Sequence, residues 1–333
     1  MSASVSTSRL SPSPVPLIHA AESSNTARAA RAGDLVRIGR GTYAPAESWS
    51  SLTPWARYLA RVHGVARMYP DAVFVGESGC ALRGLPVFGE PPDVHILLPS
   101  PTKSRRMAGI RVHASERMPR AENLDGILVA SAEEVAVEIA RTRHPAVGLA
   151  VADAVLRSDA QSSGEHLERL SAELPSSRGV RAARWVFSRA SGIRETPLES
   201  VSSAAIEWLG FPEPELQVWF RGASAHDDAR VDFWWRRLRL AGESDGEVKY
   251  SGLLGDARRA LAYRNARDAM LHARGVRATA HWSWRDVAAP AQLRALLTAV
   301  VLPIVHPERG APLASLATAL GGSASAGAIP SAR

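Results

Sequence analysis

The chain has one cysteine, Cys80, among 333 residues, so no intrachain disulfide can form. That suits a reducing compartment, and the cytoplasm is the expected location. A lone thiol ordinarily packs as a small apolar residue. No apolar run approaches the roughly 18 residues that a spanning helix needs, so no membrane partner is expected. The opening "MSASVSTSRLSPSPVPLIHAA" has only a short apolar patch behind three prolines. It lacks the pattern of a secretory signal and reads as a flexible leader. His63, His95, His113 and His144 have no zinc-ligand spacing and read as structural or surface residues. No internal repeat is visible.

What is present fits a soluble globular chain. Apolar content is 46% and charged content 22%, and the length suggests two or three domains. The net charge is +7, and its placement matters more than its size. Residues 1–180 carry 20 basic and 18 acidic side chains; residues 181–333 carry 20 and 15. The window 256–285 alone holds seven arginines against Asp256 and Asp268. A polyanion such as DNA is one natural partner for that window. A solvated arginine-rich helix is the other reading.

The expected fold class is a multidomain α/β and α+β chain. A leader at 1–15 precedes a winged-helix-like segment at 16–50. There "SSNTARAARAG" is helical and "DLVRIGRGTYAPA" suggests two short strands around "GRG". Arg28, Arg31, Arg37 and Arg40 could dock this segment on DNA. The alternative is a small satellite subdomain with exposed arginines. An α+β domain is expected at 51–158. It has a helix over 53–68, a short helix in "GESGCALRGLP", and strands in "DVHILLP", "IRVHAS" and "GILVAS". Ser131 and Glu134 read as a capping box opening a helix that runs to about Arg143. A helical connector fills 159–194. The last domain occupies 195–310, followed by a mostly disordered tail at 311–333.

In the last domain, Thr196, Pro197 and Glu199 have the spacing of a cap, a first helical residue and a capping-box partner. Glu199 thus has a structural reading beside a catalytic one. Leu198, Val201, Ala205, Trp208 and Leu209 form an apolar helical face that Gly210 ends. "EPELQVWF", "ARVDFWW" and "LRLAGESD" read as three strands, the last two joined by a tight turn at Arg236–Arg237. Pairing 235 with 238 puts 232 opposite 241, with Glu243 one diagonal step from Asp232. Asp232, Glu243 and Asp245 then share one face, and Val231, Phe233, Trp235, Leu238 and Leu240 the other. Two such charges at about 5 Å repel by roughly 3 kcal/mol at an effective dielectric of about 20. A hard divalent cation, magnesium or manganese, would relieve this. Arg230 or Lys249 could substitute, and a solvated, screened face is the remaining alternative.

This order of motifs resembles the PD-(D/E)XK nuclease superfamily, and within it the very-short-patch-repair-like endonucleases. The likeness spans about 195–290 and rests on "PLES", "PEPELQV", "RVDFWW", "GESDGEVKY" and "RDAMLHARGVR". It implies a restriction-endonuclease-like α/β domain, with Asp232 and Glu243 as metal ligands and Asp245 supporting them. It also implies Mg2+ or Mn2+ as cofactor and phosphodiester hydrolysis as the reaction, with Lys249 stabilising developing charge. The superfamily's Lys position, two after the acid, is Asp245 here. Glu247–Val248–Lys249 spells the E-x-K pattern, which makes Glu247 a rival ligand. Arg258, Arg259, Arg264, Arg267 and Arg274 would hold the DNA backbone. Over about 20–158, "DLVRIGRGTYAP" and "VFVGESGCALRGLPVFGEPPDVHILLP" look like the AbiEi-type antitoxins and regulators of abortive infection. That likeness implies a transcriptional regulator with a cognate toxin partner.

Overall fold

The computed structural model describes residues 9–22, 25–98, 103–115, 117–222, 228–245 and 254–321. Glu247, Lys249 and the side chain of Arg258 lie outside the described residues. The architecture is mixed α/β, with three separate sheets among the described residues.

The first sheet forms from β1 (Ile18–His19), β2 (Leu35–Gly39) and β3 (Thr42–Pro45), in the order β1-β3-β2, with α1 (Thr26–Ala32) preceding β2. Gly33 ends α1 at φ +88, where a side chain would be strained. The two strands around "GRG" are β2 and β3. α2 (Ala46–Ser50) follows. Val15, Ala44 and Ala60 form a small core with Leu17, Ile38, Trp49 and Leu52 around it. The leader expectation is corrected for residues 9–15. The Ser11 N–H donates to the Leu82 carbonyl at 2.8 Å, the His63 ring meets the Ser11 carbonyl at 2.8 Å, and Val15 is buried.

The middle sheet has six strands: β4 (Val73–Phe74), β5 (Val94–Leu97), β6 (Arg105–Met107), β7 (Ile110–His113), β8 (Ala121–Leu124) and β9 (Ile127–Ala130). Their order is β6-β7-β5-β4-β9-β8. α3 (Pro54–Met68), α4 (Gly76–Leu82), α5 (Ala132–Thr142) and α6 (Pro145–Ser158) pack with it. Ser131 caps α5 through the Glu134 N–H, but the Glu134 carboxylate turns to Arg117 instead of completing the box. α7 (Gly164–Ala172) and α8 (Val180–Phe187) make the connector.

The last unit runs α9 (Pro197–Trp208), β10 (Glu215–Phe220), β11 (Ala229–Trp235), β12 (Leu240–Ser244), α10 (Leu254–Ala273), β13 (Ala278–Trp282), α11 (Trp284–Ala288), α12 (Pro290–Ala299) and α13 (Gly310–Ala319). Its sheet has the order β10-β11-β12-β13. The first three strands are antiparallel neighbours, and α10 carries the chain over so that β13 runs parallel to β12.

The middle domain, the connector and the last domain share one continuous core from Tyr58 to Leu320, so they are not separately cored units. At the joint between α6 and α9, the fully buried Asp153 carboxylate accepts from Arg194 at 3.1 Å, Ser200 at 2.7 Å and the Ser191 N–H at 2.7 Å. The tail expectation is also corrected. α13 buries Leu313 and Leu316, and Leu320, which caps it, continues the same apolar edge at helical spacing.

Candidate functional site

The β11–β12 register pairs Trp235 with Leu240, Trp234 with Ala241 and Phe233 with Gly242. Four residues, Arg236 to Arg239, make the connection, and Arg239 closes it at φ +56. The expected two-residue turn is therefore wrong, and the pairing moves by two places. Continued one step, the register sets Asp232 directly opposite Glu243 rather than on a diagonal. β10 pairs Leu216 with Phe233 and Val218 with Val231, so Gln217 falls opposite Asp232. β13 pairs His281 with Glu243. A polar row thus crosses the sheet, one side chain per strand: Gln217, Asp232, Glu243, His281.

Side-chain alternation along β11 fails at this row. Phe233 and Trp235 enter the main core, as expected. Val231 does not: with Ala229 it joins a second cluster containing Trp234, Ala241, Leu271 and Val276. Gln217, opposite the break, has φ +54, a conformation rare for a non-glycine residue in a strand.

Helix α9 delivers Glu199 to the row. The capping box forms as the spacing predicts: the Glu199 N–H donates to Thr196 Oγ1 at 3.2 Å, and the carboxylate accepts from the Thr196 N–H at 3.0 Å. The second role is realised in the same side chain. Glu199 is only 3% exposed, and its Oε2 accepts from Gln217 Nε2 at 2.6 Å. The same Gln217 nitrogen donates to Asp232 Oδ1 at 3.2 Å. Asp232 Oδ2 accepts from the N–H and hydroxyl of Ser244, each at 2.8 Å. Glu243 Oε1 accepts from Arg267 Nη2 at 2.9 Å, and the same Nη2 reaches the Arg230 carbonyl at 2.6 Å.

Burial raises the proton affinity of all three acids. Glu199 is shifted up by desolvation and then by the Asp232 charge. Asp232 is shifted up by desolvation, against the donors from Ser244 and Gln217. Glu243 is pushed up to about 7, by desolvation first and Asp232 second, with Arg267 opposing. Glu199 and Glu243 are buried and Asp232 partly so, and among the described residues Arg267 is the one guanidinium hydrogen-bonded to the three.

Asp245 belongs to a different set of partners. Arg264 Nη2 donates to its Oδ2 at 2.6 Å, and His281 Nδ1 lies 3.1 Å from the same oxygen. His281 Nε2 faces Asp268 at 3.0 and 3.1 Å. Burial acts upward on Asp245, but His281, Arg264 and Arg267 outweigh it and the carboxyl sits below its ordinary range. Burial acts downward on His281, and the two flanking carboxylates outweigh it.

The arginines expected to grip a nucleic-acid backbone divide. Arg28, Arg31, Arg37 and Arg40 are exposed on α1 and the β2–β3 hairpin, and Arg259 is exposed on α10. Arg264 and Arg267 are committed to Asp245 and Glu243, so guanidinium does compensate these acids, but from α10 and not from Arg230, which pairs with Glu195. The sequence reading missed Gln217, Ser244, His281 and Asp268. Gln217 is the one uncharged polar residue inside "ELQVWF". Asp268 is one of only two acids in the arginine-rich window.

Among the described residues, no three His, Cys, Asp or Glu side chains form a ready metal cluster. The donor chemistry nonetheless suits a hard cation. The oxygens are carboxylates, and beside them Gln217 Oε1 is buried without a donor.

No family model matches the chain. No solved structure matches it either. The uncharacterized protein Rv2248 of Mycobacterium tuberculosis (strain ATCC 25618 / H37Rv) is 30% identical over 227 residues, 66% of this chain and 77% of the relative. The uncharacterized protein MT2308 of strain CDC 1551 / Oshkosh matches over the same 227 residues at the same 30% identity. At that likeness and coverage, the chain belongs to the same family as these mycobacterial proteins.

Proposed function

We propose that this chain is a DNA-acting defence or regulatory protein whose last unit is a metal-dependent phosphodiesterase of the PD-(D/E)XK type. One observation carries the reading: Gln217 ties Glu199 on the helix to Asp232 on β11, and the strand register sets Glu243 on β12 opposite Asp232. Pure folding stability gives no reason to gather three carboxylates under desolvation, and perturbed acids of this kind concentrate at functional sites. The order of the acids along the chain is the order that the nuclease resemblance implies.

Asp232 and Glu243 would hold a magnesium or manganese ion. Bound there, the ion would supply Lewis-acid polarisation of a phosphate oxygen and a more acidic water. Gln217 orients Asp232 and Glu199 by donating to both. Ser244 fixes the second oxygen of Asp232. Arg267 holds Glu243 and offsets part of the charge. The AbiEi-like N-terminal part would contribute DNA contacts through Arg28, Arg31, Arg37 and Arg40, a cognate toxin being its protein partner. A reducing cytoplasm fits the single buried thiol.

Purified full chain should nick or linearise plasmid DNA with magnesium or manganese and not with EDTA, and Asp232→Asn should abolish this. Equal behaviour of wild type and variant on duplex and single-stranded substrates would refute the reading. A non-catalytic DNA-binding regulator is the second reading. It is favoured by the guanidinium partners already on Glu243 and Asp245 and by Asp245 standing at the superfamily's Lys position. It predicts DNA affinity that falls steeply with salt and no turnover in any metal.

A further inference from the structure

Among the described residues, one tryptophan belongs to the exposed large apolar side chains: Trp219, 49% exposed. It stands on β10, the outer strand of its sheet. Edge strands are ordinarily blunted with charge, and a half-open indole there adds nothing to the core. Two guanidiniums lie over its ring, Arg221 at 4.7 Å and Arg230 at 5.2 Å from the centroid. The register sets Trp219 opposite Arg230. That pair is two places along the ribbon from Gln217 and Asp232, about 7 Å at strand spacing.

More cationic groups border the ledge. Arg267 Nη2 donates to the Arg230 carbonyl at 2.6 Å, and Arg274 Nη1 donates to the Phe220 carbonyl at 3.3 Å. Asp228 and Glu195 pair with Arg221 and Arg230. Arg267 is also paired with Glu243, so four arginines face three acids, and the ledge keeps a small cationic excess that favours an anionic partner. An aromatic face flanked by guanidiniums and set beside a phosphodiesterase-like site matches one chemistry, a nucleobase with its phosphates.

We propose that Trp219 is a stacking platform for an unpaired nucleobase, with Arg221 and Arg230 engaging the flanking phosphates. Base faces inside a duplex are covered by their neighbours. The preferred strand is therefore single-stranded or locally opened. This inference rests on the nucleic-acid reading above and names the form of substrate that the site takes.

The test is fluorescence anisotropy of the full chain with a labelled single-stranded DNA and with the same sequence as a duplex, both in EDTA. Wild type should prefer the single strand. Trp219→Ala should weaken single-strand binding about tenfold, the order expected for one stacked base, and change duplex binding little. Trp219→Phe should restore most of the loss, which a merely charged surface would not require. Unchanged single-strand affinity in Trp219→Ala, or no single-strand binding by wild type, overturns the proposal. So does a dimer in sedimentation that Trp219→Ala dissolves, since the edge would then be covered by a second copy. Cleavage that depends on Asp232 but not on Trp219, with unaltered binding, sinks the platform and spares the hydrolase. A Trp219-dependent preference without cleavage in any metal does the reverse.

Discussion

The side-chain amide of Gln217 donates to the Glu199 carboxylate at 2.6 Å, tying the outer strand of the last sheet to the helix before it. Because the same nitrogen also reaches Asp232 at 3.2 Å, removing it strips a donor from two acids at once. Gln217→Met keeps the approximate shape and loses the amide. It should destabilise the chain by about 1 kcal/mol, the usual net worth of a lost hydrogen bond, since Glu199 keeps its donors from Thr196 and Asp232 those from Ser244. Urea denaturation at neutral pH measures this, and a midpoint equal to wild type would mean that the bridge contributes nothing.

Glu243 makes stability depend on pH in a defined direction. Its carboxyl is pushed up to about 7 from an ordinary 4.5. The folded state therefore binds that proton more tightly than the unfolded chain does. Its contribution is fully present below about 4.5, declines as pH rises toward about 7, and is absent above. The ceiling on the effect is about 3 kcal/mol. Glu243→Gln should raise Tm relative to wild type at pH 8 and have less effect at pH 5. A Tm difference that does not vary between those two pH values would contradict the shift.

Asp153 and Arg194 form the charged joint between α6 and α9. Asp153→Ala leaves a guanidinium that is only 8% exposed without its carboxylate. Breaking one side of such a pair costs about 3–5 kcal/mol. Arg194 keeps its bonds to Ser203 and the Arg189 carbonyl, which argues for the lower end. The double variant Asp153→Ala with Arg194→Met should recover part of the loss. Additive losses in the two single variants would show that the pair is not coupled.

Gly242 is the close-packing point beneath the carboxylate row. A Cβ there would lie 2.5 Å from Trp282 Cη2 and 3.2 Å from Phe233 Cβ. Gly242→Ala must move the Trp282 indole, whose Nε1 donates to Ser202 at 2.8 Å. We expect a loss of about 1–3 kcal/mol. Thermal unfolding of the variant measures it, and an unchanged Tm would show that the indole has room to shift.

Features set by neighbours in sequence were legible. The Thr196–Pro197–Glu199 cap, the face of α9 and the strands β10 to β12 all follow from local spacing and period. Register was not legible, because it depends on loop length. "WWRRLRL" contains no glycine to mark where the turn closes, yet Arg239 takes φ +56 and lengthens the connection to four residues. That difference alone moves Asp232 from a diagonal to a direct neighbour of Glu243. Gln217 and His281 were invisible for a related reason: their partners are brought to them by pairing between distant strands. α13 was hidden by its alanine-rich and glycine-rich surroundings, although Leu313, Leu316 and Leu320 had the spacing of a docked helix.

Helix α13, the last among the described residues, lies against both α9 and α6, and the His144 ring meets the Pro312 carbonyl at 2.9 Å. One short segment therefore seals the outside of two helices that already meet each other at the Asp153 joint. Stripping it away would bare Leu313, Leu316 and Leu320 to water while leaving that joint intact.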